Sequence, residues 1–170
     1  MKKIFALTLF VSLFTLVTAS AQEKKKASPP ASVKETISSG TTVSIDYSQP
    51  SVKGRTIGAE IAPFGKVWRT GANEATVFEV SKAVKVQGKD LAAGKYGLYT
   101  IPGEKEWTII FNKTWKQWGS TNYSEADDAL RVVVKPGKAA TPTEQMTFKI
   151  EKSGKVSLLW GTTVVAFTVK

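Results

Sequence analysis

Apolar residues recur at every second position in several short segments of this chain, with turn-forming residues between the segments. The clearest examples are 43–47, where Val, Ile and Tyr alternate with Ser and Asp, and 146–150, where Met, Phe and Ile alternate with Thr and Lys. Successive side chains of a strand point to opposite faces of its sheet, so this spacing predicts half-buried strands. Many such strands predict an all-β domain: an antiparallel β-sandwich, or a flattened barrel, with at most short helical turns.

Local patterns place the remaining strands and the loops between them. Further strands are expected over 76–80, 83–86, 95–101, 107–112, 130–134, 156–160 and 164–169. Gly161 would form the turn between the last two strands, and Ser124 with Asp127 resembles the capping box of a single helical turn. The segments 51–71 and 113–124 have no regular pattern and are expected to be long loops.

The N-terminus has the pattern of a secretory signal peptide. Two lysines precede an apolar stretch, and Ala19-Ser20-Ala21 matches a small-residue cleavage site. The apolar stretch is shorter than the roughly 20 residues that a membrane-spanning helix needs. We therefore predict that residues 1–21 are removed, that 22–32 form a flexible spacer and that 33–170 form a single sandwich domain. The mature protein would be exported to the periplasm or secreted, and it would not span the membrane.

The chain contains no cysteine and no histidine. Disulfides, thiolate or imidazole catalysis and Cys/His metal sites are therefore excluded, so no transition metal and no cofactor is expected. The formal net charge is +10, but the lysines are dispersed along the sequence. Nucleic-acid binding requires a clustered basic face and is not expected. Glu125, Asp127 and Asp128 lack the spacing of a calcium-binding EF-hand loop.

The segment 68–76 concentrates polar groups around a glycine. Its candidate ligand-binding residues are Trp68, Arg69, Asn73 and Glu74. Trp68 would offer a stacking face, Arg69 would hold a carboxylate, phosphate or sugar hydroxyls, and Asn73 would add a donor and an acceptor. A structural interpretation is equally open, in which Arg69 and Glu74 form a buried ion pair that holds the loop to the sandwich and Asn73 caps backbone groups.

Two other groups of residues are candidates for chemistry. Asp46 and Glu74 are the carboxylates most able to converge, and a glycosidase needs two carboxylates that flank the scissile bond. Trp115, Trp118 and Tyr123 lie together in the second irregular segment. They would form either a platform on which a sugar stacks or a lid over the open end of the sandwich.

Four stretches of the chain resemble a known family. They lie at 47–55, 67–76, 93–102 and 107–112, and the most specific string within them is Trp-Arg-Thr-Gly-Ala-Asn-Glu-Ala-Thr. Together they resemble domain of unknown function family 2911 (DUF2911), exported proteins of Bacteroidetes-type bacteria. The resemblance implies an all-β exported domain and no established activity, so no catalytic role is carried over from it.

These patterns favour an exported, non-catalytic binding or interaction module whose partner is a small polar ligand, a glycan or an envelope protein. One alternative is a hydrolase that uses carboxylates on glycans or other envelope substrates. Another is a structural or assembly protein that pairs through a sheet edge. A pocket around Arg69 and Glu74 would favour ligand binding, two suitably spaced carboxylates would favour the enzyme, and a solid core without a pocket would favour assembly.

Overall fold

The computed structural model describes residues 27–170, which form ten strands and one 3₁₀ turn. The strands are β1 (Pro30–Thr36), β2 (Thr42–Ser48), β3 (Thr76–Val80), β4 (Val84–Val86), β5 (Lys89–Leu91), β6 (Gly94–Ile101), β7 (Trp107–Asn112), β8 (Asp128–Val134), β9 (Gly137–Ile150) and β10 (Lys155–Thr168). The strand pairings are antiparallel and the sheets are not closed into a barrel. The all-β prediction is confirmed.

Two layers of strands enclose the core, as in other sandwiches. The first layer is a six-stranded sheet in the order β1-β2-β3-β6-β7-β8. The second is built on the long β9–β10 hairpin. Backbone bonds of Pro50 and Val52 join the chain after β2 to β9, and Val86 of β4 pairs with Val169 just after β10. The chain after β2 and the strand β4 thereby add backbone pairing to the two edges of the β9–β10 hairpin and make the second layer wider.

Apolar side chains from both layers meet between them. The rings of Phe78 and Phe111 pack with centroids 4.9 Å apart, and Phe167 of β10 packs against both. Tyr47 links the layers, because its ring packs on Phe148 and its hydroxyl accepts a 3.1 Å hydrogen bond from the Phe148 backbone N–H. Burial of each such side chain contributes about 1.5–3 kcal/mol.

The C-terminal hairpin differs from the sequence prediction. Gly161 does not form a turn: β10 runs through it, and the pairing with β9 shifts register on either side of it. Its φ of +54° suits a β-bulge, and a Cβ there would lie 3.1 Å from Ile57 Cδ1. β9 begins at Gly137, and its first part, 137–145, was not predicted because those residues are largely exposed and lack alternation.

The predicted helical turn is present as the 3₁₀ turn Glu125–Asp127. The capping box is not, because the Ser124 side chain makes no capping hydrogen bond. The turn is short because β8 begins at Asp128, where pairing with β7 takes over.

The N-terminal boundary also moves. The predicted spacer covers 22–32, but β1 begins at Pro30, so residues 30–32 belong to the sheet. Proline is tolerated there because Pro30 opens a strand at the sheet edge. The predicted signal peptide, 1–21, lies outside the described residues. Residues 27–170 contain no helix long and apolar enough to cross a membrane.

The outer face of the six-stranded sheet is partly covered by residues 113–124, which we call the aromatic loop. Beneath it lies a second, small apolar cluster of Ala75, Tyr99 and Ile110. Gly97 lets the loop approach the sheet, because a Cβ at this position would lie 3.1 Å from the Thr114 carbonyl oxygen and 3.4 Å from Trp115 Cα. The outer face therefore carries a closely packed loop with several aromatic side chains.

Candidate functional site

The aromatic loop pairs with the segment that precedes β3. Two backbone hydrogen bonds of 3.0 Å join residues 73–75 to residues 117–119, one on each side of a facing pair. That pair is Glu74 and Trp118. Side chains of a facing pair that lacks its own hydrogen bonds are neighbours on one face of a ladder. Glu74 and Trp118 therefore project from the same face of this short ladder, with neighbouring Cβ atoms.

A groove of about 310 Å³ opens next to this ladder. It is lined by Glu74, Ala75, Val77, Trp115, Lys116 and Gln117. Trp118 is 65% exposed, and Trp115 is half-buried with Lys95 Nζ 5.3 Å from its ring centroid. We call these lining residues together with Trp118 the aromatic groove. Trp115 and the exposed Glu74 line the groove itself, and the exposed Trp118 belongs to the ladder that borders it.

The C-terminal end of the aromatic loop is fixed to the sheet by a network around Asp128. Oδ2 of Asp128 accepts hydrogen bonds from the Tyr123 hydroxyl (2.7 Å) and from Arg131 Nε (2.6 Å). Oδ1 accepts one from Asn112 Nδ2 (2.8 Å). Arg131 also donates to the Tyr123 hydroxyl (2.6 Å) and pairs with Glu125 (3.1 Å). Tyr123, for which the sequence left open a sugar contact or a lid, is thus committed to holding the loop.

This network shifts the pKa values of its members. Burial, followed by the contact with Asp128, raises the pKa of Tyr123 to about 12. Burial on its own lowers the pKa of Arg131, but the bonds to Asp128 and Tyr123 outweigh it and the net pKa is raised. Both side chains keep the protonation state that the network requires at neutral pH.

Trp68 is a core residue. It is buried, its ring stacks on Trp160 at 5.3 Å with an interplanar angle of 10°, and its edge contacts Trp107. Its backbone pairs with Thr100 as an isolated bridge that extends the six-stranded sheet. The predicted stacking role is wrong, because the face that a sugar would need is covered by Trp160.

The predicted ion pair between Arg69 and Glu74 is not formed. No carboxylate within residues 27–170 lies within 4.0 Å of the Arg69 guanidinium. Glu74 is exposed and lines the groove, whereas Arg69 Nη1 lies 3.8 Å from the position of a Cβ on Gly119. Burial lowers the pKa of Arg69. The two side chains separate because the ladder turns Glu74 outward.

Asn73 has the structural role that the sequence left open. Its φ is +60°, a conformation that asparagine adopts more readily than most residues. Its Nδ2 donates to Ser48 Oγ (3.2 Å) and to the Ser28 carbonyl oxygen (3.3 Å). The side chain thereby ties the segment before β3 to the end of β2 and to the chain just before β1.

The two candidate catalytic carboxylates come from different segments, Asp46 from β2 and Glu74 from the chain just before β3. Asp46 is exposed on β2 and pairs in register with Val77, which lines the aromatic groove with Glu74. Both carboxylates are exposed, so neither has the apolar enclosure that makes a carboxyl group a general acid. Asp46 does not line the groove itself.

The acidic residues near β8 are engaged with the protein. Thr114 Oγ1 donates to Asp127, Asp128 is the centre of the network described above, and Glu125 pairs with Arg131. Across residues 27–170, no three Asp, Glu, His or Cys side chains converge as metal ligands would.

A family model of proteins of unknown function, DUF2911, matches residues 28–169. The match spans nearly all of the two layers and the aromatic loop. The chain belongs to the DUF2911 family. A search of curated proteins finds no match, and a search of solved structures finds none.

Sequence reasoning missed several features of this DUF2911 chain. Val77, Lys95 and Gln117 contribute to the aromatic groove or its rim, yet each reads as an ordinary strand or loop residue. The Asp128 network was missed because it joins Asn112 to residues beyond the aromatic loop. The one local signal for the packing of the aromatic loop on the sheet was Gly97, an isolated glycine inside β6. Such a glycine is typical of a strand that another stretch of backbone approaches closely.

Proposed function

We propose that this protein is an exported, non-catalytic binding module whose aromatic groove binds a glycan. Export is supported by the basic, apolar and small-residue pattern of residues 1–21. The observation that carries the binding proposal is the exposed Trp118, which faces Glu74 across the ladder, together with the groove that Glu74 and Trp115 line.

The chemistry of this pair suits a sugar. An open indole face packs on the apolar face of a pyranose ring, and it does so without losing much side-chain freedom. Carboxylate oxygens accept hydrogen bonds from the hydroxyl groups at the edge of the ring. Trp118 and Glu74, which face each other across the ladder, would supply these two contacts, and Trp115 adds apolar surface to the groove.

The groove is also held in place before any ligand arrives. The ladder to 117–119 fixes its middle, Gly97 seats Trp115 on the sheet, and the Asp128 network fixes the end of the loop. A site built on such supports loses little entropy on binding, so a small contact area is sufficient for recognition.

A protein partner is less well supported. A stable protein interface buries about 800 Å² on each side, with an apolar centre. The large exposed hydrophobic side chains of residues 27–170 are Phe64, Trp118 and Val133. Phe64 lines a different cavity and Val133 is on β8, so these three do not share a groove.

Glycan-array screening followed by isothermal titration calorimetry tests the proposal. The best-binding oligosaccharide is expected to lose about tenfold in affinity with Trp118→Ala, by analogy with bases stacked on aromatic side chains, where the contact is worth about 1–3 kcal/mol. Phe64→Ala is the matched control, since it removes another exposed ring outside the groove. Equal affinities for wild type and Trp118→Ala, or an equal loss with Phe64→Ala, would overturn the proposal.

A further inference from the structure

Arg69 stands out among the charged side chains of the outer face. Its Nε is buried and has no hydrogen-bond partner in residues 27–170. No carboxylate of the same part of the chain lies within 4.0 Å of it. A buried donor on a charged group is costly when nothing accepts its proton, so no contact within residues 27–170 accounts for the position of Arg69.

The other two arginines of the sequence, Arg55 and Arg131, both have hydrogen-bond acceptors within the chain. Arg131 is bonded to Asp128, Tyr123 and Glu125. Arg55 donates to the carbonyl oxygens of residues 51 and 52 at 2.7 and 3.1 Å. Arg69 Nε makes none of these kinds of bond. The residue as a whole is only partly buried, and its two Nη nitrogens are not among the buried atoms that lack a partner. The Nη end of the guanidinium is therefore the part that an acceptor from outside residues 27–170 would meet.

The position of the guanidinium ties it to the aromatic groove. Arg69 Nη1 lies 3.8 Å from the position that a Cβ on Gly119 would occupy, and Gly119 directly follows Trp118. Gly119 has a φ of +61° and carries no side chain that would cover the guanidinium. Thr121 Oγ1 lies 3.9 Å from the same point and adds a hydroxyl donor nearby.

We propose that Arg69 is an anion-binding subsite next to the aromatic groove, and that it takes the carboxylate of an acidic sugar. A guanidinium presents a planar fork of donors that matches a carboxylate in a bidentate arrangement. The choice of a sugar as carrier of that carboxylate rests on the proposed function of the groove. The subsite itself rests on the unpartnered guanidinium alone.

The test is an NMR titration that observes the Arg69 Nε–Hε signal and the Trp118 indole signal in one spectrum. The probes are glucuronate and galacturonate, each compared with its neutral parent sugar, and sodium acetate as a carboxylate without a sugar. The variants are Arg69→Gln, Arg69→Lys and the control Lys66→Gln, which removes the same formal charge from an exposed position. Urea unfolding of each variant accompanies the titrations.

We expect a uronate to shift both signals and to bind about tenfold more tightly than its neutral parent, since hydrogen bonds to charged groups are the stronger class. Arg69→Gln should abolish the preference for the uronate, while the neutral sugar still shifts the Trp118 signal. Arg69→Lys should keep part of the preference. Lys66→Gln should behave as wild type. Arg69→Gln should fold with equal or greater stability, because it removes an unpartnered buried donor.

Three results would overturn the subsite. These are no shift of Arg69 by either uronate, an unchanged uronate preference in Arg69→Gln, or a loss of stability in Arg69→Gln that marks a structural role. Acetate that shifts Arg69 with the same midpoint as the uronates would overturn the assignment to a sugar acid. Failure of the groove itself is separate, because it would appear as Trp118 signals that no sugar shifts while Arg69 still responds to anions.

Discussion

Asp128 is the residue on which the position of the aromatic loop depends most directly. Its side chain is 8% exposed and accepts hydrogen bonds from three side chains that come from different parts of the chain. The donors of these three side chains are left without an acceptor if the carboxylate is removed.

Asp128→Ala is therefore expected to reduce the free energy of unfolding by about 2–3 kcal/mol, below the loss for a fully buried ion pair because Arg131 keeps some contact with water. Urea unfolding measures it. The control is Asp90→Ala, which breaks an exposed pair with Lys85 and should cost about 0.5 kcal/mol or less. Equal effects of the two substitutions would contradict the role given to Asp128.

The two tyrosines of the outer face give the fold a defined response to alkaline pH. Burial raises the pKa of Tyr99 to about 12, with a partly opposing bond to Gln117, and the pKa of Tyr123 is also about 12. The usual value is 10.0, so the folded protein holds these protons more tightly than the unfolded chain. Their contribution is complete below pH 10 and is lost as the pH rises towards 12.

The free energy of unfolding should therefore fall between pH 10 and pH 12. In Tyr123→Phe it should fall less steeply over that interval, because one of the two titrating tyrosines is absent. Urea midpoints measured across the interval give the slope, and ultraviolet difference absorbance reports tyrosinate formation. A wild-type slope that is unchanged in both Tyr123→Phe and Tyr99→Phe would rule out this assignment.

At the scale of the elements, period-2 alternation located β2, and apolar segments between turn signals located β3, β6, β7 and β8 close to their observed bounds. It failed where burial does not alternate, as in the exposed first part of β9, and where a glycine bulge imitates a turn, as at Gly161. The site was predicted less well than the fold. Trp118 and Glu74 were singled out, but only the ladder between loops makes them neighbours, and that pairing joins residues distant in sequence.

Gly97 connects the sheet to the site and gives a prediction at this scale. A methyl group there would lie 2.8 Å from the Tyr99 ring and 3.1 Å from the Thr114 carbonyl oxygen, so the aromatic loop must move. Gly97→Ala is expected to cost about 1–3 kcal/mol of stability and to weaken glycan binding several-fold. Calorimetry and urea unfolding measure the two effects.

The control is Gly137→Ala in β9, where a Cβ would meet Val164 at 3.9 Å, an ordinary contact. It should leave both stability and binding near the wild-type values. Gly97→Ala that binds glycan like wild type would show that the seating of the loop on the sheet is unimportant for the groove.

The whole molecule combines a closed aromatic core with one loop-covered outer face. The two layers are joined by backbone pairing at both sides of the β9–β10 hairpin, so the sandwich needs no disulfide. This construction is compatible with export of a cysteine-free chain, since a domain of this size buries enough apolar surface to be stable alone.

Cleavage after Ala21 is the prediction that belongs to the whole chain. N-terminal mass spectrometry of the protein recovered from the producing cells should show Gln22 as the first residue, because the small residues at 19 and 21 fit signal peptidase. An intact chain beginning at Met1 and retained in the membrane fraction would contradict export by this route.

The central claim is that the aromatic groove is the ligand-binding surface, and the tryptophan indole signals report on it most directly. The chain has five tryptophans: Trp68, Trp107 and Trp160 are buried, Trp115 is half-buried and Trp118 is exposed. Titration of ¹⁵N-labelled protein with the best-binding oligosaccharide should shift the indole signals of Trp118 and Trp115 and leave the three buried ones in place. Saturable binding that leaves the Trp118 signal unmoved would contradict the account.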